Sequence, residues 1–252
     1  MVETARHELS PTSVGPVVVS GMLAEQLAKD LAADAEPGAV ITDDGARVSA
    51  AEVLVRIVAG EPSEADEALV RTSDRRGIPV VVVQLWPQAD WTPPFVLSPF
   101  VVECRAGEGF PLREIADRIV EASEHGPLLA ARIPALKEAV SYSVVRQAVL
   151  RAAVLGVAAA HKGATRPAIA LEQVRMLARL RATTTGSAAS DEMPVIAGGA
   201  ALALAAGFAF RGVARAARQV LPAPVTNAAI AAAGTWALAK ALQALEGRLA
   251  PC

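Results

Sequence analysis

The side chains that most often perform acid, base or nucleophilic chemistry are few in this chain and lie far apart. His7, His125 and His161 have no nearby partner of the kind that catalysis uses, so we expect all three at the surface. Cys104 and Cys252 form neither a metal-ligand spacing nor a disulfide framework. The sequence therefore predicts no catalytic residue, no metal ligand, no cofactor and no enzyme activity.

Phosphate binding by a glycine-rich loop needs the pattern G-x-x-x-x-G-K-[S/T], whose backbone N–H groups and lysine surround the phosphates. The pattern occurs nowhere in the 252 residues. The pair Asp43 and Asp44 is better explained as part of a turn. The stretch from Leu85 to Phe95 is unusual, since it holds Trp86, Trp91 and three prolines after an apolar run. The sequence favours a stiff loop that caps a sheet there over a loop that binds a ligand or partner.

Charge and composition divide the chain into two parts. Residues 1–126 hold 21 acidic against 10 basic side chains, whereas residues 127–252 hold 5 against 14. Alanine, the best helix former, is concentrated in the second part. We therefore predict a two-part α+β protein: a small parallel α/β layer of about three strands, then an all-α, alanine-rich helical bundle. The basic part suits an anionic surface or docks on the acidic part, and nucleic acid is disfavoured because no aromatic residues accompany the basic ones.

The first part is predicted to begin with a flexible tail, residues 1–20, followed by an α/β domain, residues 21–126. Apolar residues spaced by four predict a first helix, and Ser63 with Asp66 three residues later predicts the start of a second. A helix with Pro111 in its first turn ends the domain. The predicted elements are a helix at Met22–Ala35, a short hairpin at Ala39–Ser49, and strands at Val53–Gly60, Val80–Leu85 and Phe100–Cys104.

Residues 50–123 resemble the last third of a translation-factor-class GTPase. The phrases EPSEADEALV, IPVVVVQLWP and ECRAGEGFPLREIADRIV follow the order of strands and helices in that family, and Gly107 and Gly109 fit its last motif. Gln84 to Pro87 stand where the family has the Asn-Lys-x-Asp that recognises guanine. The resemblance implies a degenerate GTPase-like domain that keeps the fold and lacks GTP binding and hydrolysis.

Residues 127–252 are predicted to form the helical domain, with an apolar hairpin made of residues 193–210 and 225–239. The first segment has 18 residues without charge, which meets the threshold for a membrane-spanning candidate. Small residues repeat every four positions in both segments, which suits close helix–helix packing. Ordinary packing of an alanine-rich soluble bundle would show the same spacing. The predicted packing positions are Gly199, Ala203, Gly207, Ala229 and Ala233. The predicted basic surface, for lipid or a partner, is Arg175, Arg179, Arg211, Arg215 and Arg218.

The phrases RPAIALEQVRMLARL and GFAFRGVARAARQVLPAPVTNAAIAAAGTWALAKAL resemble the bacterial family called domain of unknown function 697. Members of that family are commonly fused to GTPase domains or found beside them, and many are membrane proteins. The resemblance therefore implies a GTPase or another protein as partner, and a link to the membrane. It also adds Gly234 and Thr235 to the packing positions.

The sequence as a whole predicts a non-catalytic, membrane-associated adaptor or scaffold on the cytoplasmic face of an anionic membrane. Arg211, Arg215 and Arg218 follow the uncharged run, and a spanning hairpin would place them outside, against the positive-inside tendency. A hairpin that lies in the membrane avoids this conflict. The first alternative is a soluble cytoplasmic protein with a structural or homo-oligomerising role. The second is a small-molecule-binding protein that uses the loop from Trp86 to Trp91.

Overall fold

The computed structural model describes residues 14–43, 47–87, 100–105, 107–159, 166–185 and 222–249. The chain divides into two compact units: an α/β unit that runs to Val140, and a helical unit that begins at Ser141. The predicted two-part α+β organisation is confirmed. The boundary between the units falls later in the chain than the predicted one at residues 126–127.

The sheet of the α/β unit has five strands rather than about three, and every neighbouring pair is parallel. The order across the sheet is β2-β1-β3-β4-β5, a doubly wound order in which the chain changes direction between β1 and β3. The strands are β1 (Val17–Gly21), β2 (Val40–Thr42), β3 (Val53–Ala59), β4 (Val80–Leu85) and β5 (Val101–Cys104).

Two predictions about the first 50 residues are wrong. The flexible tail cannot extend to residue 20, because Val17 to Ser20 are buried in the interior strand β1. The hairpin at residues 39–49 is absent, because β2 pairs parallel to β1 and Val48–Ala50 form a 3₁₀ turn. A central parallel strand is a short, continuous apolar run without alternation, so polar flanking residues easily hide it.

Four helices of the described residues lie wholly within the α/β unit: α1 (Ala24–Leu31), α2 (Glu64–Arg75), α3 (Leu112–Ala122) and α4 (Gly126–Arg132). Helix α1 contacts β1 and β2, whereas α2 and α3 contact β3 and β4. The crossovers from β1 to β2 and from β3 to β4 run in opposite directions, so right-handed connections place α1 and α2 on opposite faces of the sheet. Burial on both faces explains why β1, β3 and β4 are valine-rich.

The segment after α3 packs into the α/β unit, which explains the late boundary. Leu129 of α4, Ile133 and Leu136 are at most 1% exposed, and α4 contacts α3. A 3₁₀ turn at Pro134–Leu136 follows α4. The switch from acidic to basic composition therefore precedes the packing boundary.

The described helical unit consists of the part of α5 (Lys137–Ala159) that follows Val140, most of α6 (Arg166–Thr185) and α7 (Ala223–Leu249). The second segment of the predicted apolar hairpin, residues 225–239, lies within α7. The first segment, residues 193–210, lies outside the described residues.

Candidate functional site

The carboxyl edge of the sheet, where doubly wound proteins bind ligands, carries exposed apolar side chains after β1 and after β4. Strand β1 passes into α1 through only Met22 and Leu23, which are 53% and 48% exposed. Gly21 has φ +103°, and a Cβ there would overlap the carbonyl oxygen of Ile57 on β3. A two-residue connection is far shorter than the glycine-rich loop that surrounds a phosphate. The edge at β1 therefore presents hydrophobic surface.

The residues that follow β4 extend this apolar edge. Gln84 is 3% exposed, lies beside Val58 and Glu103 on the neighbouring strands, and its buried Nε2 has no hydrogen-bond partner among the described residues. Trp86 has φ +51°, donates its backbone N–H to the carbonyl oxygen of Cys104 at 3.2 Å, and is 52% exposed. The predicted partner loop thus begins with an exposed tryptophan, and its second tryptophan, Trp91, lies outside the described residues.

A partly buried ion pair fastens α2 to β3. Arg56 donates from Nε and Nη2 to Oδ1 of Asp66 at 2.8 and 2.5 Å. Oδ2 of Asp66 accepts from the backbone N–H and the hydroxyl of Ser63 at 2.7 and 2.6 Å, which confirms the predicted helix start as a capping box. Burial raises the pKa of Asp66, but the bonds from Ser63 and Arg56 together outweigh burial, so this pKa lies below its ordinary value. Both carboxylate oxygens of Asp66 therefore accept hydrogen bonds within the protein, and the role of this residue is structural.

His125 is paired, so the expectation of an isolated surface histidine is wrong for it. Its Nδ1 lies 3.0 Å from Oε1 of Glu52, and the hydroxyl of Ser123 donates to the same oxygen at 2.9 Å. Because Ser123 bonds to the carboxylate and not to the imidazole, His125 is not placed to activate it as a nucleophile. His7 and His161 lie outside the described residues.

Cys104 is a structural thiol. Its Sγ donates to the carbonyl oxygen of Gly109 at 2.9 Å, and burial, together with the charge of Glu108, raises its pKa. A raised pKa keeps the thiol neutral and unreactive near pH 7. Within the described part of the chain, no group of three or more His, Cys, Asp and Glu side chains could hold a metal ion. Cys252 lies outside that part.

A buried polar contact joins α6 to α7 in the helical unit. Gln173 donates from Nε2 to the hydroxyl of Thr235 at 3.2 Å, and that hydroxyl donates to the carbonyl oxygen of Ala231 at 2.8 Å. Thr235 is fully buried and Gly234 is half-buried. Thr235 therefore lies on the face of α7 that packs against α6.

The predicted small-residue face through Ala229 and Ala233 is exposed, so that prediction is wrong for the described helices. The buried face of α7 contains Ala231, Thr235, Leu238 and Ala239 instead. An alanine-rich helix has small residues on every side, so their spacing alone does not select the packed face. Gly199, Ala203 and Gly207 lie outside the described residues.

The close approach between helices in this unit occurs at Gly156 of α5. A Cβ at this residue would lie 2.6 Å from the carbonyl oxygen of Asn227 and 2.8 Å from Cα of Ala228 on α7. Glycine is required there because any side chain would meet the backbone of the neighbouring helix.

A small cleft between α5 and α6 is lined by three arginines and one carboxylate, Arg151, Arg175, Arg179 and Glu172. Arg175 Nη1 lies 2.9 Å from Oε1 of Glu172, and Arg151 Nη1 lies 3.6 Å from its Oε2. Arg175 and Arg179 are two of the predicted basic surface residues, whereas the sequence did not assign Arg151 or Glu172 to a site. The sequence signal for Arg151 was weak, because this residue is a single charge within an otherwise apolar run. Arg211, Arg215 and Arg218 lie outside the described residues.

Helix α5 is apolar on its exposed side as well as on its buried side. Leu150, Val154 and Val157 are spaced by four and three residues, so they form one line along the helix, here named the α5 stripe. Arg146, four residues before Leu150, continues this line toward the start of the helix, and Arg151 lies beside the line; both arginines are exposed. The exposed fractions of the stripe residues are 56% for Leu150, 69% for Val154 and 44% for Val157.

One segment of the described chain, Pro134–Ala158, is long and apolar enough to cross a bilayer by length and composition alone. A window of 18 residues within it has a mean hydropathy of 1.2, and 28% of that window is buried within the protein. Core helices of soluble proteins also satisfy this criterion.

Comparisons of the chain with protein-family models, with curated proteins and with solved structures found no match. Function is therefore inferred from the side chains and surfaces described above.

Proposed function

We propose that the protein is a non-catalytic, membrane-associated adaptor. Its helical unit lies on the anionic cytoplasmic surface of a membrane, and its α/β unit binds a protein partner. The observation that carries the proposal is the α5 stripe, a line of three exposed aliphatic side chains with Arg146 at its start and Arg151 beside it. Helices in the membrane interface have this pattern, because the apolar line inserts while the arginine heads reach the lipid headgroups.

An orientation along the membrane surface fits α5 better than a transmembrane one. Arg146 and Arg151 lie in the middle third of the helix, and an arginine at the bilayer centre costs about 2.5–3.5 kcal/mol on insertion scales. The other side of α5, which includes Val144, Ala148 and Ala152, is buried in the protein. Only the stripe side is therefore available to lipid.

The stripe supplies enough free energy for reversible membrane binding. Burying a whole leucine or valine side chain contributes about 1.5–3 kcal/mol, so side chains about half exposed contribute about 1 kcal/mol each. Arg146 near an anionic surface adds about 1 kcal/mol. The sum of about 4 kcal/mol corresponds to a partitioning advantage of about 10³-fold.

The carboxyl edge of the sheet supplies the partner-binding surface of the adaptor. Met22 and Leu23 follow β1, and Trp86 follows β4, so these exposed apolar side chains lie at the edge that doubly wound sheets use for ligands. Exposed aromatic and apolar side chains suit a protein surface. The resemblance to a GTPase-associated family favours a GTPase as that partner.

Vesicle co-sedimentation tests the membrane proposal. The variant Leu150→Ser, Val154→Ser, Val157→Ser should bind phosphatidylcholine–phosphatidylserine vesicles about 100-fold more weakly than the wild-type protein, since it loses about 3 kcal/mol. A matched control, Met22→Ser with Leu23→Ser, removes exposed apolar side chains from the α/β unit and should leave vesicle binding unchanged. Equal binding by the stripe variant, or wild-type protein that stays in the supernatant at low salt, would contradict the proposal.

A second candidate function, a soluble oligomerising protein, is favoured by an exposed line on α7. Val225, Ala229, Ala233 and Trp236 share one side of that helix, and Val225 and Trp236 are 52% and 54% exposed. Light scattering of the protein without lipid distinguishes the candidates. A stable dimer that Ala229→Glu dissociates would support the oligomer, and a monomer that binds vesicles would support the adaptor.

A further inference from the structure

Two bulky apolar residues at the carboxyl edge of the sheet have a left-handed backbone conformation. Leu23 has φ 60° and ψ 20°, and Trp86 has φ 51°. Glycine and asparagine adopt this conformation at lower cost, and strained residues of this kind concentrate at sites that bind ligands. Leu23 and Trp86 are also 48% and 52% exposed, so packing in the interior accounts for only part of each side chain.

These side chains, together with Met22, lie close enough to contact a single helix, and the three are here named the carboxyl-edge patch. Met22 and Leu23 follow β1, Trp86 follows β4, and only β3 separates these two strands. Neighbouring strands are about 4.8 Å apart and each residue rises about 3.3 Å, so the ends of β1 and β4 lie about 12 Å apart. Two turns of an α-helix cover about 11 Å, which matches this separation.

The patch has carboxylates on both sides. The described residues at this part of the edge contain three glutamates and no basic side chain; they are residues 22–25, 60–64 and 86–87. Glu25 lies in the first turn of α1, whereas Glu61 and Glu64 lie just before α2 and at its start, and all three are exposed. Because α1 and α2 cover opposite faces of the sheet, negative charge flanks the patch on both faces.

We propose that the carboxyl-edge patch binds an amphipathic, basic α-helix of a partner protein. Apolar side chains of that helix, spaced by three, four and seven residues, contact the patch. Lysine or arginine on the two borders of its apolar stripe then face Glu25 on one side and Glu61 and Glu64 on the other. Complementary charge around the patch guides association and disfavours acidic partners. The proposal rests on the partner-binding role proposed for the α/β unit and specifies the chemistry of that partner.

A designed peptide of leucine and lysine tests the proposal. It forms about five turns of helix, with leucine on one side and lysine on the other. Fluorescence anisotropy of the labelled peptide should show binding to the whole chain at low salt. Two control peptides should bind about tenfold more weakly. In one, leucine and lysine alternate, so that no helical apolar side exists, and in the other, glutamate replaces lysine.

Substitutions locate the binding at the patch. Trp86→Asn removes the indole ring, and asparagine tolerates a φ of 51°, so this variant should keep the fold and bind the peptide about tenfold more weakly. Glu61→Gln with Glu64→Gln should weaken binding about threefold at low salt and less at high salt. The matched control is Asp34→Asn with Asp74→Asn, which removes the same charge beyond the end of α1 and in the last turn of α2, at the opposite edge of the sheet. That control should leave binding nearly unchanged.

Several outcomes would refute the proposal. They include the absence of peptide binding, binding that Trp86→Asn leaves unchanged, and equal binding of the glutamate peptide. Light scattering tests a second copy of the chain as the occupant. A dimer that Trp86→Asn dissociates, without peptide binding, would assign the patch to self-association. Unfolding curves followed by circular dichroism verify that each variant remains folded.

Vesicle co-sedimentation separates this inference from the membrane proposal. Trp86→Asn should bind phosphatidylcholine–phosphatidylserine vesicles as the wild-type protein does, and a loss of vesicle binding would assign the patch to lipid instead. The triple serine variant of the α5 stripe should bind the peptide as the wild-type protein does. Peptide binding by a protein that ignores vesicles would support this inference while the membrane proposal fails. Vesicle binding without peptide binding would overturn this inference alone.

Discussion

Replacing Gly156 by alanine should destabilise the helical unit, although alanine is the better helix former. Gly156 is buried near the C-terminal end of α5 and faces the backbone of α7. The new Cβ would lie 2.6 Å from the carbonyl oxygen of Asn227, and 2.8 and 2.9 Å from Cα and N of Ala228. All three are backbone atoms, so no side-chain rotation relieves the overlap, and α5 and α7 must separate.

Two opposing contributions set the size of the effect. Alanine in place of glycine within a helix stabilises it by about 1 kcal/mol. Forcing a methyl group into a filled contact costs about 1–3 kcal/mol, and the upper end applies where the backbone must move. We therefore expect a net loss of about 1–2 kcal/mol, which lowers the melting temperature of a unit of this size by several degrees.

Thermal unfolding with circular dichroism at a helical wavelength measures the loss, and hydrogen exchange of peptides from residues 222–249 localises it to α7. Val154→Ala is the matched control on the same helix. Val154 is 69% exposed, so alanine there improves helix propensity without a clash and should leave stability equal or slightly higher. If Gly156→Ala raises the melting temperature as much as propensity alone allows, the two helices do not touch at this residue.

Two further substitutions test the other polar anchors. Asp66→Asn should lower the free energy of unfolding by about 1–3 kcal/mol at pH 7, because Arg56 loses its counter-charge. The folded pKa of Asp66 is lowered, so its stabilisation is present above the unfolded pKa and is lost as the pH falls through the folded pKa. In urea titrations the difference between wild type and variant should therefore shrink only below pH of about 3.9, and a constant difference down to acid pH would contradict this. Thr235→Val should lower the free energy of unfolding by about 1 kcal/mol, because the amide of Gln173 loses its acceptor. Thr235→Ser keeps the hydroxyl and is the matched control. A valine variant as stable as wild type would show that this contact is dispensable.

The sequence predicted the α/β elements where a local pattern determines structure. Ser63 and Asp66 form a capping box whose members are three residues apart, so the start of α2 follows from sequence. Strand β4 extends over the predicted range, Val80–Leu85, because its apolar run is bounded by Gly77 and Pro79 on one side and Pro87 on the other. Both signals are short in range and need no knowledge of the neighbouring elements.

The central strand β1 could not be predicted in the same way. Its four buried residues, VVVS, are too few to show a period, and the chain before them is polar. What makes the segment a strand is pairing on both sides, with β2 and β3, which lie later in the chain. A strand in the interior of a parallel sheet is therefore defined by partner strands that are distant in sequence. The order of the strands also reverses next to this strand, between β1 and β3.

In the alanine-rich part, function depends on which side of each helix is covered, and sequence periodicity does not determine this. Helix α5 is apolar all round, so hydropathy alone predicts a buried or membrane-spanning helix. Its packing through Ala148, Ala152 and Gly156 leaves the stripe exposed, and the arginines beside the stripe then distinguish the interface from the bilayer interior. One of them, Arg151, faces Glu172 on α6, so the same residue lies beside both the stripe and the charged cleft. A helix buried on both sides would need neither arginine. Their position supports the proposal that the exposed side of α5 lies against an anionic surface.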